Sequence, residues 1–170
     1  QRGAYGEFVA RHEYRLVRSD FRPSGRSLPD GYQVRVATMA DHLELADLMM
    51  DAYVGTIDYE GETPEQAVEE VGGYLESEAD LEVSQVAVSD GVIQCAVMMS
   101  RIAGLPLVGF VMTRAAVKGR GLASALLDLA TDAVWATGAE EIRAFITDGN
   151  LPSEAIFTKA GYRRIATYGD

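Results

Sequence analysis

Phe110-Val-Met-Thr-Arg-Ala-Ala-Val-Lys-Gly-Arg-Gly-Leu-Ala-Ser-Ala-Leu-Leu127 opens as an apolar, β-branched run and closes as a helix. The strand pattern extends back to Leu107, and the helix runs on past the segment, with Leu122, Leu126, Leu129, Ala133 and Val134 recurring on one face. A strand that passes through a glycine loop into a helix leaves several N–H groups unpaired and pointing the same way, which makes a seat for phosphate. Gly119 and Gly121 permit close backbone approach, and Lys118 and Arg120 add positive charge. The run Lys118-Gly-Arg-Gly-Leu-Ala123 is too short for a Walker loop and lacks the spacing of a dinucleotide fingerprint. Taken alone it is either a phosphate loop or a plain turn into a helix.

Downstream, Gly138 ends the helix, Ile142 to Thr147 reads as a strand, and a short helix follows Asn150, running from near Pro152 to Gly161. Tyr162 onward is a final strand. Upstream, Val83 to Ser89 and Val92 to Ile102 are strands separated by Asp90-Gly91, a dipeptide suited to a tight hairpin, and Gly104-Leu105-Pro106 turns the chain into Leu107 to Thr113. Before them, Gln33 to Val36 is a short strand. Thr38 and Asp41 then make a capping-box-like start to a helix bearing Leu45, Leu48, Met49, Ala52 and Tyr53. Thr63-Pro64-Glu65-Gln66 opens a second helix with Val68, Val71 and Leu75 on its buried stripe. The predicted order is β, α, α, three strands in a meander, then α, β, α, β: a mixed α/β fold around one sheet. Residues 1–31 show no clear period and are expected to form an extension, with a single domain over 32–170.

The chain has 170 residues, 48% of them hydrophobic, and a formal net charge of −11. Its length suits one compact domain, and its acidity disfavours nucleic-acid partners. The charge is unevenly spread. Residues 1–35 hold seven arginines against four acids, residues 36–100 hold fifteen acids and no Lys or Arg, and residues 101–170 are nearly balanced. The acidic stretch is either a solvated face or a cleft wall that attracts a cationic substrate, and it includes the carboxylate-rich loop Gly55 to Glu62 between the two helices. Cys95 is the one cysteine, so no internal disulfide can form and a cytoplasmic setting is expected. No apolar run approaches a bilayer span, and no metal site is expected from the isolated His12 and His42.

With the strand–loop–helix and the element order in hand, residues 32–166 resemble the GCN5-related N-acetyltransferase (GNAT) family. Lys118, Gly121 and Ala123 fall on that family's acetyl-CoA signature, with Lys where Arg or Gln is usual; the charge is kept and the planar fork lost. Asn150, Gly161 and Tyr162 match a second motif, in which Phe157 stands where a Tyr often protonates the departing thiolate. A phenyl ring cannot donate a proton, and Phe157 also fits a core role. The resemblance implies a GNAT-like, mostly antiparallel sheet. It implies acetyl-CoA held by Val111, Met112, Thr113, Lys118, Gly119, Arg120, Gly121, Leu122, Ala123, Ser124 and Asn150, with the Met112 backbone as an oxyanion donor. No acid lies in Leu107 to Thr113, so Asp58 and Glu60 are the expected bases, and Tyr53, Asp58, Glu60 and Glu62 are expected to line the acceptor site. The implied reaction is direct attack of a primary amine, a small cationic amine or a peptide amino group, on the thioester within a ternary complex. The alternative is a non-catalytic acyl-CoA-binding or regulatory domain, and a homodimer stays open.

Overall fold

The computed structural model describes residues 10–169. The elements are β1 (Arg11–Val17), β2 (Gln33–Val36), α1 (His42–Tyr53), α2 (Pro64–Ser77), β3 (Gln85–Ser89), β4 (Val92–Ile102), β5 (Leu105–Thr113), α3 (Leu122–Ala136), β6 (Glu141–Thr147), α4 (Leu151–Ala160) and β7 (Arg163–Tyr168). They form one seven-stranded sheet in the order β2-β3-β4-β5-β6-β1-β7. Every neighbouring pair is antiparallel except β5 with β6.

From β2 onward the element order is the predicted one. Thr63 accepts from the Gln66 N–H at 3.1 Å and Gln66 Oε1 accepts from the Thr63 N–H at 2.9 Å, so the capping box of α2 is complete. Ahead of α1 the chain makes a three-residue helical turn, Met39–Asp41, in which Asp41 accepts from the Thr38 N–H at 2.8 Å. Arg35 clamps the same buried carboxylate with two bonds of 2.8 Å and holds it below the usual carboxylate range. Asp90 and Gly91 both take positive φ, 52° and 74°, in the β3–β4 hairpin. The next turn lies at Ala103-Gly104 rather than at Gly104 to Pro106, because Leu105 and Pro106 already pair with β4.

The boundary expected at residue 32 is corrected. Arg11–Val17 is inserted between β6 and β7, and its Tyr14 and Leu16 belong to the core. The expected extension over 1–9 lies outside the described residues. Among the described residues no helix is long and apolar enough to cross a membrane.

Two cores sit on the two faces of the sheet. One joins Cys95, Val97 and Met99 of β4 to α3, α4 and β6; the other joins Ile93, Ala96 and Met98 to α1 and α2. Burial on both faces explains why β4 reads as a continuous apolar run.

Candidate active site

The site is built on a break in the sheet. β5 pairs with β6 only at Leu107 and Val108, so Gly109 to Thr113 diverges from Phe145 to Thr147 and leaves a wedge between two parallel strands. The divergence begins beside a bulge. Met99 pairs with Val108 and Met98 with Phe110, leaving Gly109 as the extra residue on β5.

A large compartment of about 970 Å³ runs from this wedge along the loop into α3. Its wall includes Val111, Thr113, Lys118, Gly119, Gly121, Leu122, Ala123, Ser124 and Asn150, so nine of the eleven residues expected to hold cofactor share one cavity. Gly121 is left-handed, with φ of 82°, at the N-cap of α3, a conformation that favours glycine and frees the helix N–H groups toward the cavity. The loop is pinned to α1: Arg114 bonds Asp47 at 3.1 Å, the Ala115 N–H donates to Asp51 at 2.8 Å, and Lys118 Nζ donates to the Ala52 carbonyl at 2.8 Å.

Two expected cofactor residues stand elsewhere. Arg120 is exposed and off the cavity wall, since it lies on the outer side of the turn. The Met112 side chain is buried in the α1/α2 core because alternation along β5 turns it away from Val111 and Thr113. Its N–H lies on the β4 side with that of Arg114, which donates to Gln94 O, so the expected oxyanion donor at Met112 is corrected to its neighbours Val111 and Thr113. Lys118 reaches the cavity, but its ammonium is bonded to the end of α1.

A smaller compartment of about 340 Å³ fills the wedge itself, between Val108 to Val111 and Ala144 to Thr147. Asp58, Glu60, Glu62 and Tyr53 line it, as expected for the acceptor site, together with Glu70, Arg11 and Phe157. Partial desolvation, then Glu62 and Glu60, holds the Glu70 carboxyl above its ordinary range. Burial and the charges of Asp58, Glu70 and Glu62 push the Tyr53 phenol up, so it keeps its proton at neutral pH. Phe157 is buried edge-to-face against Tyr162, with ring centroids 4.9 Å apart, and presents no hydroxyl.

Tyr53, Asp58, Val111, Asn150 and Ser153 line both compartments and mark their junction. There Asn150 Nδ2 donates to Asp58 at 2.9 Å, while Asn150 Oδ1 caps α4 by accepting from the Ser153 N–H at 3.3 Å. One residue thus ties the acidic loop to α4. Sequence reading missed Arg22, Ser24, Arg26 and Lys159 on the large compartment and Glu70 and Arg11 on the small one. Their unassigned positive charge on one side, and a carboxylate one helical turn beyond the capping box on the other, were the available signals.

A mixed sheet whose parallel strands part beside a glycine loop and helix N-terminus is the GNAT fold, and the resemblance drawn from Lys118 to Ala123 and Asn150 holds at this level. Residues 94–169 match the family described as FR47-like protein. A GCN5-related N-acetyltransferase from Sphaerobacter thermophilus is similar with a TM-score of 0.74 at 19% identity, over 95% of this chain and 50% of its own. The chain therefore spans about half the length of that protein. PaiA N-acetyltransferase from Thermoplasma acidophilum, solved with coenzyme A, gives 0.62 at 14% identity over 82% of this chain and 99% of its own. AAC(6')-Iy, solved with the bisubstrate analogue CoA-S-monomethyl-acetylneamine, gives 0.61 at 14% over 82% and 97%. No curated protein matches the chain in sequence.

Proposed function

We propose that the protein is an N-acetyltransferase that moves an acetyl group from acetyl-CoA to a cationic primary amine. The carrying observation is that the two compartments meet at the break in the sheet and have opposite character. The large one presents loop amides with Arg22, Arg26, Lys118 and Lys159 against Asp58 and Asp128; the small one presents Asp58, Glu60, Glu62 and Glu70 against Arg11. An anionic donor and a cationic acceptor are each drawn to their own side, and their reacting ends converge beside Val111. Solved structures of the same fold that hold coenzyme A or a CoA–aminoglycoside analogue support this reading.

In this reading the amine gives up a proton to Asp58 or Glu60, directly or through water, and its nitrogen attacks the thioester carbon. Backbone N–H groups of Val111 and Thr113, on the β6 side of β5, are the donors for the developing oxyanion, the C–S bond breaks, and the thiolate takes a proton. Tyr53, protonated and lining both compartments, is the phenol available for that last step.

The test is calorimetric titration with acetyl-CoA, followed by thiol detection of CoA release across a panel of amines. Binding with amine-dependent release is expected, and absence of binding overturns the reading. The hydroxyl-free Phe157 favours a second reading, an acyl-CoA-binding regulatory domain, for which binding without release in any amine is the signature.

A further inference from the structure

Between β1 and β2 the chain runs as a strap, residues 18–32, whose Arg22, Pro23, Ser24 and Arg26 line the large compartment. It is fastened along its length. The Arg18 N–H donates to Glu140 O at 2.9 Å, the Arg22 N–H donates to Ala160 O at 2.9 Å, and Phe21 packs edge-on to Trp135. Ser24 then gives Asp128 both its N–H, at 3.0 Å, and its hydroxyl, at 2.7 Å. The same Ser24 Oγ accepts the Arg26 N–H at 3.1 Å. This chain of bonds sets Arg26 over the start of α3, with Nη1 3.0 Å and Cδ 3.2 Å from where a Cβ on Gly121 would stand.

Among the described residues Arg11, Arg18, Arg120 and Arg163 form no ion pair and lie off the large compartment; the arginines on its wall are Arg22 and Arg26. Arg15, Arg35, Arg101, Arg114, Arg143 and Arg164 each pair with a carboxylate. Arg22 and Arg26, both on the cavity wall, pair with none among the described residues, and the adjacent Asp128 is committed to Ser24. A planar guanidinium held over loop amides without a carboxylate partner is suited to a bidentate phosphate contact.

We propose that Arg26 binds the pyrophosphate of an acyl-CoA, its guanidinium lying beside the Gly121 backbone at the start of α3. This rests on reading the cleft as an acyl-CoA site. The strap supplies from a remote segment the fork that Lys118 lacks, since the Lys118 ammonium is bonded to Ala52 O. Asp128 is then a positioning residue that acts through Ser24, and the sign of its effect is diagnostic. By charge alone, removing a carboxylate beside an anion site tightens anion binding; by positioning, it weakens it.

The test is calorimetry of the full chain with CoA and with 3′-dephospho-CoA, on the wild type and on R26A, R26K, D128A and R163A, the last being an exposed arginine of β7. Thermal unfolding checks that each variant is folded. R26A is expected to weaken both ligands equally, by about ten- to a hundredfold. R26K should recover part of this, D128A should weaken both, and R163A should bind as the wild type does. Unchanged or tighter binding by R26A, or a loss confined to CoA that would put Arg26 on the 3′-phosphate, overturns the pyrophosphate assignment. Tighter binding by D128A overturns the positioning role. A wild type that binds neither ligand overturns the acyl-CoA reading itself, an outcome distinct from the others.

Discussion

Position 157 shows how one side chain divides the chemistry from the packing. The Phe157 ring is buried against Tyr162 and lines the small compartment, so it shapes the wall without offering a proton. Tyr53 has the complementary properties: it reaches the junction and, with its phenol pushed up by burial and nearby carboxylates, stays protonated. Tyr53→Phe is therefore expected to lower the turnover of CoA release about tenfold while leaving the affinity for CoA unchanged. The effect is modest for a proton donor because a thiolate with pKa near 8.5 already leaves tolerably well and a phenol pushed up by burial is a weaker acid toward it. Phe157→Tyr in the Tyr53→Phe background should restore part of the rate. Calorimetry beside steady-state kinetics separates the two effects, and an unchanged rate in Tyr53→Phe would remove the phenol from the mechanism. Phe157 was legible from the sequence as both a departure from the family motif and a core aromatic; Tyr53 was legible only as a wall residue, because its proton affinity depends on Asp58, Glu62 and Glu70 arriving from other elements.

Among the elements, β5 does the most to create the site. The extra residue Gly109 comes where pairing with β6 stops, so the bulge bends one strand away from its parallel neighbour and opens the wedge. A side chain is excluded there: a Cβ would stand 2.7 Å from Ser100 Oγ, 3.0 Å from the Tyr74 ring and 3.1 Å from Met98 O. Tyr74 is itself tied to the Met99 carbonyl and stacks edge-on with Phe110. Gly109→Ala is expected to destabilise the fold by about 1–3 kcal/mol through overpacking, and to cost activity beyond that of an equally destabilised variant away from the wedge. Thermal unfolding and kinetics on the two variants check this. The strand itself was plain in the sequence, but its parting from β6 was not, because the pairing partner lies more than thirty residues away and no local pattern encodes where two strands separate. β1 escaped for a related reason. Its buried His12 and Glu13 break the apolar alternation expected of a strand, and their partners, Asp148 and Thr167 for one, Arg143 and Tyr168 for the other, come from β6, β7 and the turn after β6.

Over the whole molecule the uneven charge resolves into a two-ended cleft. Of the fifteen acids between residues 36 and 100, Asp58, Glu60, Glu62 and Glu70 line the small compartment, Asp47 and Asp51 fasten the loop after β5, and Asp41 is taken by Arg35. Sequence alone located the acidic stretch but could not sort these uses, since each depends on which helix face meets which loop. If the four cleft carboxylates serve a cationic acceptor, Glu62→Gln and Glu70→Gln should each raise KM for a cationic amine a few-fold and leave CoA affinity unchanged, and added salt should reproduce the KM effect. The pH dependence has a definite sign. Glu70 is held above the ordinary carboxylate range, so its attraction for the amine is complete only above that raised value and fades as pH falls through it. The wild-type KM for a permanently charged amine-bearing substrate, one with a quaternary nitrogen beside its acceptor amine, should therefore rise toward acid pH at a higher pH than an ordinary glutamate would dictate. In Glu70→Gln that raised inflection should be lost. A KM that ignores salt, pH and both substitutions would return the acidic stretch to a solvated surface and leave the amine to be recognised by shape alone.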